Sequence, residues 1–197
     1  ITDLAHHIKD GQLPSDFTAK KPDRSYFEVS ANFVPQMVEQ IASAWKKRGN
    51  NPFELQILAP MYKGMAGINA MNVLLQNLFN PLNDRLEFAL GDMKFREGDK
   101  VLHLVNDAEA NVFNGDLGQI VELIAAKYTD SKQDELVMDF DGQELTYPRA
   151  ERYKITLAYA MSIHKSQGSE FSTVIVPMVS SYSRMLERNL LYTAITR

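Results

Sequence analysis

The sequence predicts an α/β protein built on a parallel sheet and interrupted by a small β insertion. Three observations predict it. Strand-like and helix-like runs alternate up to about Leu90, the order that builds a parallel sheet with crossover helices. From Met93 to Arg149 that order gives way to short alternating runs with turn signals between them, set roughly 8–12 residues apart as in a small barrel. From Tyr153 the strand–helix alternation returns. The expected division is therefore one discontinuous α/β domain, residues 1–92 with 151–197, carrying an inserted barrel at 93–150.

Each element has its own signal. Residues 2–10, TDLAHHIKD, read as the end of a helix stopped by Gly11. Leu13 to Ser25 is polar with two prolines and reads as a loop, and Tyr26–Val29 as a short strand. In NFVPQMVEQIASAWKKRGNN, Val34, Val38, Ile41 and Trp45 recur on one helical face, with basic residues and Gly49 as stop signals. LQILAP, from Leu55, is a buried-type strand, and Ile68, Met71, Leu74, Leu75 and Leu78 repeat helical spacing over 67–79. DKVLHLV and NGDLGQIVEL are strand-like, and Asp141-Gly142 between alternating runs marks a hairpin. KITLAYA then reads as a strand, followed by a short helix, the strand TVIVP and a helix over 184–197.

The 197 residues are 45% hydrophobic and 23% charged, enough for one large domain or two small ones. With no cysteine, disulfides and thiolate metal sites are excluded, which fits a reducing compartment. No apolar run reaches the roughly 18–20 residues that span a membrane, and no secretory leader pattern opens the chain. The chain starts at Ile1 and stops at Arg197 inside a helix-like run, so a piece of a longer protein is expected. A net charge of −4 weighs against a free-standing nucleic-acid binder, although it leaves room for one basic face.

Chemistry concentrates in three stretches. The first is the polar knot His164-Lys165-Ser166-Gln167-Gly168-Ser169-Glu170, between two apolar strands. Ligands of open α/β sheets bind beyond the carboxyl ends of the strands, where this crossover would lie. Hydroxyl, imidazole and amide groups from Ser162, His164, Ser166 and Gln167 suit phosphate or sugar oxygens. Gly168 permits a tight turn, and a carboxylate after it, Glu170, suits a ribose hydroxyl. The same residues equally suit a solvated helix face with a glycine cap. The second stretch is RNLLYTAITR, whose Arg197 carries the planar guanidinium that phosphate recognition favours, as well as being an ordinary surface residue. The third is APMYKGMAGINAMN, a strand-to-helix turn with Lys63, Gly64 and Gly67. A helix N-terminus of that kind can take an anion. It lacks G-x-x-x-x-G-K-[ST], which occurs nowhere in the chain. Met61, Met65, Met71 and Met93 read as core filler, and no cluster has metal-ligand spacing.

Taken in order, ILAPMYKGMAGINAMNVLLQNLFNP, FREGDKVLHLVND…VFNGDLGQIVEL, YAMSIHKSQGSEFSTVIVP and NLLYTAITR resemble the C-terminal half of RecD-like superfamily 1 DNA helicases, the exodeoxyribonuclease V alpha-subunit family. The resemblance runs from about Leu4 to Arg197. It implies a second RecA-like motor domain, of P-loop NTPase type but without the phosphate-loop half, with an SH3-like barrel inserted. It implies 5′→3′ translocation on single-stranded DNA driven by ATP with Mg2+, both used by the full-length protein and neither held tightly by these residues alone. The knot matches helicase motif V, which sets Gly168, Glu170 and Gln167 toward nucleotide and Ser162, His164 and Ser166 toward the DNA backbone. The last stretch matches motif VI, with Arg197 as an arginine finger. The Lys63 segment matches motif IV and implies a DNA-side contact.

Partners implied are single-stranded DNA, the first RecA-like domain of the same protein and, where the parent is an exonuclease V subunit, the other subunits of that enzyme. A bacterial cytoplasmic location follows from the same resemblance. The phosphate loop and the acidic pair that holds magnesium belong to the first domain, so these 197 residues alone are expected to be inactive toward ATP. Two other readings stand beside this one: a non-catalytic DNA- or protein-binding module, and a fragment of another superfamily 1 helicase, RNA-directed or relaxase-linked.

Overall fold

The computed structural model describes residues 1–185 and 187–197. Leu186, inside the helix expected over 184–197, lies outside the described residues. The helices are α1 (Thr2–Lys9), α2 (Val34–Lys47), α3 (Ile68–Phe79) and α4 (Arg188–Ile195). The strands are β1 (Leu55–Ala59), β2 (Glu87–Leu90), β3 (Met93–Arg96), β4 (Lys100–His103), β5 (Leu117–Ile124), β6 (Glu135–Phe140), β7 (Gln143–Pro148), β8 (Ile155–Leu157), β9 (Ala160–Ser162) and β10 (Thr173–Ile175). Two compact units result, residues 1–74 with 160–197 and residues 75–159.

In the first unit β1 is the centre of a three-stranded parallel sheet ordered β10-β1-β9. All five β1 residues are buried, the polar Gln56 among them, as a strand covered on both faces of a parallel sheet should be. α2 buries Val34, Val38 and Ala42, starts with Pro35 in its first turn and ends in Lys46 and Lys47 before Gly49. α1 buries Leu4, Ala5 and Ile8 and packs on α4. Tyr26–Val29, expected as a strand, joins no strand ladder among the described residues, and Tyr26 and Phe27 stand exposed. Its aromatic and β-branched composition favours a strand, but no neighbouring strand supplies the hydrogen bonds that would make it one.

The sheet edge at β9 is closed by a side chain. Asn72 of α3 donates Nδ2–H to the Ala160 carbonyl at 3.0 Å and accepts the Ala160 N–H on Oδ1 at 2.8 Å. The amide thus supplies the donor and acceptor that another strand would have provided, in a site where Asn72 is only 6% exposed. Asn72→Ala leaves that N–H and C=O buried and unpartnered by the side chain. A loss of about 2–6 kcal/mol is expected, at about 1–3 kcal/mol per orphaned group, readable as a lowered urea midpoint. An unchanged midpoint would show that the edge is satisfied by water.

The second unit holds the antiparallel pair β2–β3 and a five-stranded antiparallel sheet ordered β7-β6-β5-β4-β8. The β6–β7 hairpin turns at Asp141 and Gly142, both at positive φ (53° and 87°), as the Asp-Gly signal predicts. Val101, Ile120, Leu136 and Met138 are fully buried. His103, also buried, has Nδ1 2.7 Å from the Val105 carbonyl and Nε2 2.9 Å from Tyr147 Oη. A carbonyl can only accept, so Nδ1 carries the proton and Nε2 accepts from the tyrosine. Burial pushes Tyr147 up to about 12 and Lys100 down to about 7.

The run KITLAYA, expected as one strand, is two. β8 pairs antiparallel with β4, whereas β9 pairs parallel with β1. The chain changes sheet at Ala158-Tyr159, where Tyr159 donates its hydroxyl to Asp99 at 2.9 Å.

Candidate functional site

The polar knot starts at the carboxyl end of β9, where Ser162 lies opposite Ala59 of β1. Ser162 Oγ accepts the Lys165 N–H at 3.3 Å and caps a 3₁₀ turn over Ile163–Ser166. In such a turn residues three apart eclipse. Ile163 and Ser166 accordingly point inward and are fully buried, while His164 and Gln167 are exposed. Ser166 donates its hydroxyl to the Ile163 carbonyl at 2.7 Å, so that group is spent inside the turn. Gly168 follows at φ 90° with nothing within 4 Å of where a Cβ would stand. Glycine is needed there for the backbone angle and not for space, and it leaves the main chain open to approach. Glu170 is exposed beside it.

α4 brings Arg197 to the knot. The Phe171 N–H donates to the Arg197 main-chain oxygen at 2.9 Å, and α4 packs on the 3₁₀ turn. Thr196 folds its hydroxyl back onto the Tyr192 and Thr193 carbonyls at 3.0 and 3.1 Å. The Arg197 guanidinium rests against Thr196 Oγ1 at 3.5 Å, and its Nε is shielded from solvent with no hydrogen-bond partner among the described residues. A shielded guanidinium N–H without an acceptor is costly, and Arg24 and Arg152 leave their Nε in the same state among the described residues.

Lys63 lies in the loop that leaves the carboxyl end of β1, the strand beside Ser162. Met61 and Tyr62 turn their carbonyls back to accept the Ile68 and Asn69 N–H groups at 2.9 and 3.1 Å. Those first-turn amides of α3, which the sequence offered as an anion site, are thereby occupied by the loop itself. Tyr62, Lys63 and Met65 face solvent, so Met65 is not the core filler expected of it. The knot and Arg197 are joined directly. Lys63 instead bonds through its carbonyl to Tyr182, a buried phenol that burial holds above its ordinary pKa. Asn72 and Tyr182 were not found from sequence. Asn72 left a faint signal, an amide within the apolar stripe Ile68, Met71, Leu75, whereas Tyr182 sits in a polar stretch with no pattern.

Comparison with known proteins bears on this geometry. Residues 71–140 match the family described as the ATP-dependent RecD-like DNA helicase SH3 domain, and residues 157–197 match the UvrD-like helicase C-terminal domain. Both define helicase parts, and the second covers the knot, α4 and Arg197. The chain is similar over its full length, at 34% identity, to an ATP-dependent RecD2 DNA helicase of Deinococcus radiodurans, of which it spans 25%. It is 27% identical, over 72% of its length, to the RecBCD enzyme subunit RecD of Buchnera aphidicola, spanning 23% of that protein. The crystal structure of the Pif1 helicase from Candida albicans shares the fold, with a TM-score of 0.58 at 16% identity, covering all of this chain and 50% of that one. The chain belongs to the RecD-like superfamily 1 helicases.

Proposed function

We propose that these residues form the second motor domain of an ATP-dependent 5′→3′ DNA helicase. The observation that carries the proposal is the placement of Arg197, tethered to the knot through Phe171 and with its Nε shielded and without a partner among the described residues. A guanidinium so placed fits the phosphates of ATP, and the exposed Gln167, Gly168 and Glu170 beside it fit the nucleotide's polar edge. When bound, ATP supplies the free energy that biases domain closure. Among the described residues no group of three or more His, Asp or Glu side chains is placed to hold a metal ion. Magnesium is assigned to the first RecA-like domain.

The residues of this chain then divide by face. Arg197 stabilises charge on the transferring phosphoryl group, and Gly168, Glu170 and Gln167 border the nucleotide. Ser162, His164 and Lys63 meet the DNA backbone. A contact from Ser166, which the family pattern also assigns to DNA, requires the buried turn to open. Residues 93–150 form an SH3-like barrel inserted in a RecA-like domain of 1–92 and 151–197. Single-stranded DNA, the first RecA-like domain and, in a nuclease complex, companion subunits are the partners, in a bacterial cytoplasm.

Strand displacement by the full-length protein on 5′- and 3′-tailed DNA and RNA duplexes tests this reading. Unwinding of 5′-tailed DNA alone is expected. Activity confined to 3′-tailed or RNA substrates would overturn the polarity or the substrate.

A further inference from the structure

We infer that Tyr182 is a positioning residue that holds the Lys63 loop in the shape in which it meets single-stranded DNA. The inference rests on the DNA-side role proposed for Lys63. Tyr182 Oη donates to the Lys63 carbonyl at 3.2 Å, from a side chain only 5% exposed. Its hydroxyl lies over Gly64, where a Cβ would stand 2.9 Å from Oη and where φ is 92°. From the other side Gly67 comes so close that its Cβ would lie 2.4 Å from the same Lys63 oxygen. The Lys63 peptide is thus gripped between a phenol and a glycine, and both glycines are required by contacts that no side chain could share.

The consequence is a tethered main chain under exposed side chains. The Met61 and Tyr62 carbonyls are tied to α3, the Lys63 carbonyl is tied to Tyr182, and the side chains of Tyr62, Lys63 and Met65 remain in solvent. A loop already ordered loses less entropy when a ligand docks on it. Tyr182 ends the 3₁₀ turn Ser180–Tyr182, on the stretch between β10 and α4. The anchor of the proposed DNA-side loop therefore belongs to the same chain segment that leads to Arg197. A tyrosine serving only to fill the core would need its ring and not its hydroxyl.

Tyr182→Phe separates the two, because it keeps the ring and removes the tether. Binding of labelled oligo(dT) and DNA-stimulated ATPase are measured in the full-length protein for Tyr182→Phe, Lys63→Ala and the double variant. Tyr182→Phe is expected to weaken oligo(dT) binding by about two- to tenfold, the range of one net hydrogen bond. The DNA concentration for half-maximal ATPase should rise by that factor, more than the maximal rate falls. In the double variant the loss should match Lys63→Ala alone, since the two act through one loop. An effective Lys63→Ala with an inert Tyr182→Phe, or with losses that add in full, overturns the tether. An inert Lys63→Ala overturns the DNA-side reading of Lys63 on which the tether depends.

Discussion

Arg197→Ala in the full-length helicase is expected to lower ATP turnover by about 10³–10⁵-fold, the range for arginine fingers, while single-stranded DNA affinity changes only a few-fold. That range corresponds to roughly 4–7 kcal/mol of transition-state stabilisation. The asymmetry follows from where the residue sits. Its main-chain oxygen is held by Phe171 N–H, which alanine would retain, so the knot and α4 stay joined. What alanine removes is the guanidinium, whose Nε is shielded and has no hydrogen-bond partner among the described residues. Arg197→Lys should recover little, because an ammonium is a compact point charge without the planar fork. The measurement is steady-state ATPase at saturating DNA beside equilibrium binding of the same oligonucleotide. Parallel collapse of both would mean that Arg197 holds the fold and that the finger lies elsewhere.

What the sequence reveals of this molecule depends on whether the cause is local. The Asp141-Gly142 hairpin, the largely apolar run of β1 and the stripes of α2 and α3 are local, because turn angles and side-chain periods are properties of short segments. The change of sheet at Ala158-Tyr159 is not. β8 and β9 are both short and apolar, and no period distinguishes a strand facing β4 from one facing β1. Tyr26–Val29 fails in the opposite direction, with strand composition but no partner. For the site, the residue types of the knot and of Arg197 stand out as chemistry-bearing in the sequence. Their meeting does not, since the Phe171–Arg197 bond joins a loop to the end of a helix across an intervening strand. Asn72 and Tyr182 act through tertiary contacts with Ala160 and Lys63, which no local pattern announces.

Asp99→Ala should cost the second unit about 3–5 kcal/mol of stability, measured by urea unfolding. Asp99 has no solvent exposure and accepts four hydrogen bonds. Oδ1 takes Asn80 Nδ2 at 2.7 Å and Tyr159 Oη at 2.9 Å, and Oδ2 takes Gln76 Nε2 at 2.6 Å and the Arg96 N–H at 2.7 Å. Gln76 and Asn80 keep second acceptors in the Lys94 and Glu97 carbonyls. Alanine still removes the acceptor of four donor hydrogens, one each on Asn80, Tyr159, Gln76 and the Arg96 N–H, and the expected loss is of the order seen when one partner is taken from a buried charged group, about 3–5 kcal/mol. Asp99→Asn should rescue only part of the loss, because turned one way its NH2 faces Gln76 Nε2 and the Arg96 N–H, both donors, and turned the other way it faces the Asn80 amide and finds an acceptor in the Tyr159 hydroxyl. The pH dependence has a definite sign. Burial raises the Asp99 carboxyl above its ordinary 3.8, against the pull of its hydrogen bonds. The folded state then holds this proton more tightly than the unfolded chain, so the aspartate's contribution is greatest below 3.8 and declines as pH rises through the raised value. The gap between wild type and Asp99→Ala should narrow as pH rises above 3.8 through the raised value. A gap that widened with rising pH would mean that the four donors outweigh desolvation and that the buried carboxylate is stabilised in its charged form.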